Sequence, residues 1–395
     1  MLAIFVVMLG FGIIAPILPL FARSFGVGYG AAGLLISAFA FTRLVFDLVA
    51  GPIVDRWGER LTATAGLVVV VASSILTGLA WNFPVAVIFR GAGGAGSSVM
   101  FAAVYSYLLK VVPKDRMART LGAFFASFNV GFIAGGPLGG VIAHEFGLRS
   151  PLFVYAALCA GAALLFFRLV RDPTVTRQTV VEVATTEGDE SMLSGTWRSV
   201  RELLSSRTFV AIVVLNMAFF WVIAGGYDTL VPLFGQSGLH MSTVGIGAVL
   251  AVAVATELVL LYPAGTWADR FGRRALVIPA LTWFAAAVAL AGFAGSPLMF
   301  GVLLGLMGVG SGTVAVAPSA MLSDVAPERR SGTAVGVFRF FGDIGFVFGP
   351  LVAGLSTSAF GFRAAFALMA APLILALALL VRIKETMPGR ARPTA

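Results

Sequence analysis

Long apolar runs, each about as long as a membrane is thick, alternate with short polar turns along this chain. A helix crossing the hydrocarbon core needs about 20 apolar residues at 1.5 Å per residue. The pattern predicts twelve such runs: 2–22, 31–50, 61–81, 84–109, 120–143, 151–169, 208–234, 243–263, 275–294, 297–322, 332–355 and 363–382. In lipid every backbone polar group needs an internal partner, so runs of this length are helices. Nothing has the short alternating segments of a barrel. The first run lacks a basic leader and carries Pro16 and Pro19, so it reads as a membrane helix and not as a cleaved signal.

One short polar turn, Gly51-Pro-Ile-Val-Asp55-Arg56-Trp-Gly58-Glu-Arg60, recurs 214 residues later as Gly265-Thr-Trp-Ala-Asp269-Arg270-Phe-Gly272-Arg273-Arg274. At the same offset Thr42 falls on Thr256, Gly94 on Gly308, Pro113 on Pro327, Arg116 on Arg330 and Gly131-Phe132 on Gly345-Phe346. Six helices are therefore repeated in parallel. Such a repeat places two halves about an axis along the membrane normal, with a binding site between them. The predicted class is an all-α membrane protein with twelve transmembrane helices in two six-helix bundles. The expected divisions are an N-terminal bundle (1–169), a linker (170–207), a C-terminal bundle (208–382) and a tail (383–395). Within the linker, 194–206 can form an amphipathic surface helix with Trp197, Val200, Leu203 and Leu204 on its apolar side; a plain tether is the competing reading.

Composition agrees with this picture: 59% of residues are hydrophobic and 11% charged, against about 25% charged in soluble domains. The net charge of +9 forms no basic face for nucleic acid and gathers in alternate loops instead. Arg56, Arg60, Lys110, Lys114, Arg116, Arg119, Arg270, Arg273 and Arg274 lie on one side, whereas the opposite loops hold only Arg23, Arg149 and Arg363. The positive-inside rule then places both termini and the linker in the cytoplasm. One cysteine, Cys159, excludes an intrachain disulfide, and His144 and His240 are too far apart in sequence to suggest a metal site. The glycine run 91–96 lies within a helix and lacks the Lys-Ser/Thr of a nucleotide loop.

The repeat and its loops resemble the major facilitator superfamily, over essentially the whole chain. Gly51 to Arg60 resembles that family's signature between helices 2 and 3, with Gly265 to Arg274 as its second copy. Arg90-Gly-Ala-Gly-Gly94-Ala-Gly96 resembles the helix-4 motif. Gly131, Gly135, Gly136, Pro137, Gly139 and Gly140 resemble the helix-5 motif of proton-coupled exporters. Leu9-Gly10 with Pro16 and Pro19 resembles the helix-1 motif of the twelve-helix drug/proton antiporter branch. The resemblance implies that Asp55 meets the start of helix 11 near Ser331-Gly332-Thr333 when the cytoplasmic side closes. Arg56, Arg60, Asp269, Arg270 and Arg274 would serve the same gate. A capped basic turn with no gating role is the plainer alternative.

Charges inside a membrane are costly and mark function. Seven are expected: Arg43, Asp47, Arg90, Asp228, Glu257, Arg339 and Asp343. Since helices 2 and 11 face each other in the family, Arg43–Asp343 and Asp47–Arg339 can pair across the halves. Equally, Arg43–Asp47 and Arg339–Asp343 can neutralise each other within their own helices. A carboxylate held away from water can exchange a proton near neutral pH, so Glu257 and Asp343 come first as proton carriers, then Asp47. Asp228 either shares this role or sits in a solvated break at the external end. The resemblance of Arg90 to the family's helix-4 arginine implies that it modulates such a carboxylate. Asn129, Phe124, Phe128, Phe338 and Glu257 are expected to line the substrate cavity.

The expected function is secondary transport by alternating access: a monomeric, proton-coupled exporter of small lipophilic or cationic compounds, without a cofactor, in a bacterial cytoplasmic membrane. No nucleophile–base set suggests an enzyme. A transporter of one metabolite (sugar, amino acid or organic anion) and a non-transport receptor or lipid-handling protein stay open as alternatives.

Overall fold

The computed structural model of the chain describes residues 2–112, 117–170, 200–325 and 331–386. The first six helices are α1 (Leu2–Arg23), α2 (Leu34–Trp57), α3 (Glu59–Leu79), α4 (Phe83–Val111), α5 (Met117–Phe146) and α6 (Ser150–Leu169). Then follow α7 (Arg207–Ser237), α8 (Thr243–Phe271), α9 (Arg273–Ala291) and α10 (Pro297–Val325). The last long helical stretch, Ser331–Leu380, kinks at Gly361 into α11 (331–360) and α12 (362–380). Ten helices are recognised by length and apolarity, and one of these holds both α11 and α12. With the thirty residues of α5 the twelve expected spans are all present. No strand occurs among the described residues.

Prolines shape several spans. Pro16 sits in a tight 3-10 turn, Ala15–Ile17, within α1, and α5 carries Pro137 inside it. The α7 helix widens into a π-helical turn, Val222–Leu230. Of the predicted linker, 171–199 (with Trp197) lies outside the described residues. Residues 200–205 are helical, with Leu203 buried and Leu204 exposed.

The repeated polar segment corrects an expectation. It is mostly helix: Gly51 belongs to α2 and Gly265 to α8. Only Gly58 (φ 79°) and Gly272 (φ 105°) turn the chain, in a region that glycine occupies without steric cost. Apolar helix surface thus continues to the last polar residues, and a single positive-φ glycine reverses direction.

Glycine contacts repeat along with the sequence. A Cβ on Gly94 would lie 2.1 Å from the carbonyl oxygen of Phe39, and one on Gly308 2.2 Å from that of Ala253. Gly131, Gly135 and Gly139, one turn apart, lie in this way against the carbonyls of Phe5, Leu9 and Ile13 in α1. Gly345 and Gly349 meet Met217 and Trp221 of α7 equivalently. The helix-5 motif therefore forms mainly a packing face for α1, with Gly136 open. Small residues let helices approach in lipid, where no hydrophobic force drives them together.

The halves meet through α2 on α11 and α5 on α8. At the end remote from the basic loops this seam is tight. The Ser37 hydroxyl donates to Val347 O (2.7 Å), and Gly30 N–H donates to Ser358 Oγ (2.9 Å). Backbones touch there as well: a Cβ on Gly33 would stand 2.3 Å from Pro350 O, one on Gly354 2.4 Å from Tyr29 O, and one on Gly140 2.6 Å from Thr243 O. At the basic end Gly51, Asp55, Arg56 and Gly336 are exposed.

Gly33→Ala is expected to open this seal. Overpacking of about 1–3 kcal/mol shifts the population toward separation by about fivefold or more. A cysteine at Ser37, in a Cys159→Ser background, should then react faster with an impermeant maleimide from the remote face. Gly136→Ala, at an open position, should change nothing. Equal labelling of the Gly33→Ala protein and its parent would refute the account of the seal.

Candidate functional site

At mid-depth in the seam, the Arg43 guanidinium of α2 donates to Asp343 of α11. Both side chains are largely sequestered, 21% and 10% exposed. The pair crosses the halves and joins α2 to α11. The second possible cross-pair does not form among the described residues. Asp47 instead accepts a hydrogen bond from Ser98 of α4, and Arg339 stacks over the Phe101 ring, 4.7 Å from its centroid. Phe101 in turn packs edge-on against Phe124 and Phe128. Of the expected cavity residues, Phe124 is buried at 1% exposure and Phe338 is half-buried. The side chain of Asn129 lies outside those described.

In the second half Glu257 of α8 is buried and accepts a hydrogen bond from Ser311 Oγ of α10 (2.9 Å). The Tyr227 hydroxyl stands 3.5 Å from the same Ser311 oxygen. No cation pairs with Glu257 among the described residues. Gly312 allows the approach, since a Cβ there would lie 2.5 Å from the Glu257 carbonyl.

Asp228 requires a second correction. It is no solvated loop residue: it lies in the π-helical turn of α7, 6% exposed, with Oδ2 lacking any hydrogen-bond partner. The Gly225-Gly226 pair suggested a broken helix. The helix continues instead with a wider turn, and such π turns frequently mark functional sites. Gly225 packs against Gly349 O of α11, so no solvent gap opens beside Asp228.

Arg90 of α4 is wholly buried, with Nε, Nη1 and Nη2 all without an acceptor. Its guanidinium lies 4.1 Å from the Phe39 ring centroid, 5.6 Å from Phe11 and 6.0 Å from Tyr155.

At the basic end the two signature copies are tied within their own halves. Arg60 donates to Phe167 O (2.8 Å) and lies over that ring. Glu59, unremarked in the sequence, is buried and bound by Ser106 (2.8 Å) and Lys110 (2.5 Å) of α4. In the second copy Arg273 joins Asp269 (2.5 Å) to Asp324 (3.3 Å). Arg274 donates to Leu380 O and Val381 O, and Glu385 caps α9 by accepting from the backbone of Arg273 and Arg274. Asp55 is exposed; the side chains at 331–333 that it is expected to meet lie outside those described. His144 and His240 are both exposed, and no metal-binding cluster occurs among the described residues.

Comparison with known proteins places this arrangement. The chain is 24% identical over 355 residues to the quinolone resistance protein NorA of Staphylococcus aureus (strain Mu50), covering 89% of this chain and 87% of that one. It is likewise 24% identical over 361 residues to multidrug resistance protein 2 of Bacillus subtilis (strain 168), covering 89% and 86%. Its fold is similar to a crystal structure of a D-xylose–proton symporter, with a TM-score of 0.76 at 16% identity, covering 98% and 97%. The family model of the Major Facilitator Superfamily matches residues 1–256 and 238–395. The chain therefore belongs to the Major Facilitator Superfamily and is a membrane transporter of small molecules.

Proposed function

We propose that this transporter exports small lipophilic or cationic compounds in exchange for protons, by alternating access. The observation that carries the reading is the presence of two carboxylates, Asp228 and Glu257, buried in one half without a cationic partner among the described residues. Protonating either breaks no ion pair, so each can take up and release a proton as its exposure changes. Asp343 differs, because a proton placed there weakens its bond to Arg43 and loosens α11 from α2. Proton occupancy is thereby linked to the seam. The likeness to quinolone and multidrug resistance proteins supports a drug-type substrate.

The orientation follows from the basic loops, which place the sealed end outside the cell. The described state is then the one loaded from the cytoplasm. The signature copies brace their halves in this state, and Asp55 is free to engage the start of α11 when the cytoplasmic side closes. The test is a drug-susceptibility and accumulation panel in a host lacking its own exporters. Expression should lower accumulation of at least one lipophilic compound several-fold, and an uncoupler should restore it. Accumulation that stays low after the proton gradient collapses would falsify proton antiport.

A further inference from the structure

We infer that Arg90 and the rings around it form a binding site for a monovalent anion, either a free halide or the carboxylate of an aromatic substrate. This deepens the proposed function by adding an anionic group to its substrate class, and it rests on that reading only for the substrate arm.

A guanidinium presents five N–H donors in a fixed fork. All three Arg90 nitrogens lack an acceptor among the described residues, although the side chain is 0% exposed. The Tyr155 hydroxyl, although its ring lies nearby, accepts no hydrogen bond from the guanidinium. Ring faces contribute a weak attraction to a cation, but they accept none of its directed N–H bonds. A buried charge is otherwise retained only when it is paired and hydrogen-bonded. Neighbouring charge points the same way. Arg43 also has a buried, unpartnered Nε, and its Nη2 is committed to Asp343. Asp343 is thus taken up by Arg43, and no described carboxylate accepts from Arg90. Asp47, the next acid along α2, is bound by Ser98.

The walls favour an apolar anion. Phe11 and Phe39 lie 5.4 Å apart, and Phe11 also meets Phe132 (5.7 Å) and Phe346 of the other half (6.3 Å). One ring therefore closes the Arg90 box on one side and touches the seam on the other. Separation of the halves frees Phe11 and exposes the guanidinium to a ligand arriving between them. A planar carboxylate fits the arginine fork in two-point fashion, and its aromatic body would stack on these phenylalanines. A halide satisfies the same donors from solution.

The experiment measures thermal unfolding of the purified full-length protein, with no gradient, at constant ionic strength. Sulfate is replaced stepwise by chloride or by benzoate, and benzamide serves as the uncharged analogue. A saturable rise in Tm of about 2–4 °C with chloride identifies a free-halide site. The same rise with benzoate, and not with chloride or benzamide, identifies the substrate-carboxylate arm. Both responses should vanish in Arg90→Met. If that variant does not fold, Arg90→Lys carries the test, with an expected loss of at least tenfold in benzoate or chloride affinity. No response to either anion, or an equal response in the Arg90 variant, overturns the site. Binding that persists alongside uncoupler-insensitive accumulation sinks proton antiport and leaves this inference standing; the reverse pattern sinks the anion site alone.

Discussion

Asp228→Asn should abolish proton-driven efflux, taking it to the level of a host without the transporter, while thermal stability stays equal or rises. The two readouts together are diagnostic. A buried carboxylate with an oxygen that no donor reaches is a destabilising element, because leaving a buried acceptor unmatched costs about 1–3 kcal/mol. Asn preserves shape and removes the ionisable group, so the fold loses no ion pair. Function loses the only carboxyl group on the π-helical turn of α7. Glu257→Gln should behave alike in transport, although its hydrogen bond with Ser311 persists in a neutral form. Both are checked by substrate efflux from vesicles carrying an imposed pH gradient, beside melting curves. Coupled efflux of normal rate in both variants would remove these residues from the proton path.

The second large effect concerns the bond across the seam. Asp343→Asn leaves Arg43 sequestered without its counter-charge, which should destabilise the described state by about 2–4 kcal/mol. The lower end reflects the 21% exposure of Arg43. Arg43→Gln should cost a similar amount, and the double variant less than their sum, giving a coupling of about 1–3 kcal/mol. Asp47→Asn provides the contrast. Its partner is a serine and not a cation, so it should couple to Arg339→Gln by no more than a few tenths of a kcal/mol, the spread found for independent sites. Thermal unfolding of the four proteins in each cycle measures this. Equal coupling in the two cycles would mean that both pairs form in solution.

Much of the architecture could be read from the chain, because lipid forbids most alternatives. Runs of sufficient length must be helices, and the recurrence of Gly51–Arg60 at Gly265–Arg274 set the number of halves. The equivalent contacts of Gly94 with Phe39 and Gly308 with Ala253 show that the repeat extends to packing. The family follows from the same residues. Partners between distant helices were less legible. Asp47 and Asp343 each had an arginine one turn away in sequence, and only the placement of α4 and α11 separates their fates. Glu59 looked like one more charge in a basic turn; its burial depends on Ser106 and Lys110 arriving from α4. Asp228 followed a glycine pair, which marks a helix break and a π turn equally well. The unpartnered state of Arg90 has no linear signal, since it depends on which rings converge from α1, α2 and α6.

The remote seal has a consequence of its own. It is built from glycine edges against carbonyl groups, with hydrogen bonds from Ser37 and Gly30 and no ion pair across the halves among the described residues there. Dispersion between neutral backbones does not respond to ionic strength or acidity. The mid-depth bond of Arg43 with Asp343 responds to both. The two contacts across the halves therefore answer to separate inputs, the mid-depth pair to charge and the remote seal to mechanical fit. Bilayer thickness and lateral pressure should adjust the remote seal while leaving the mid-depth pair untouched.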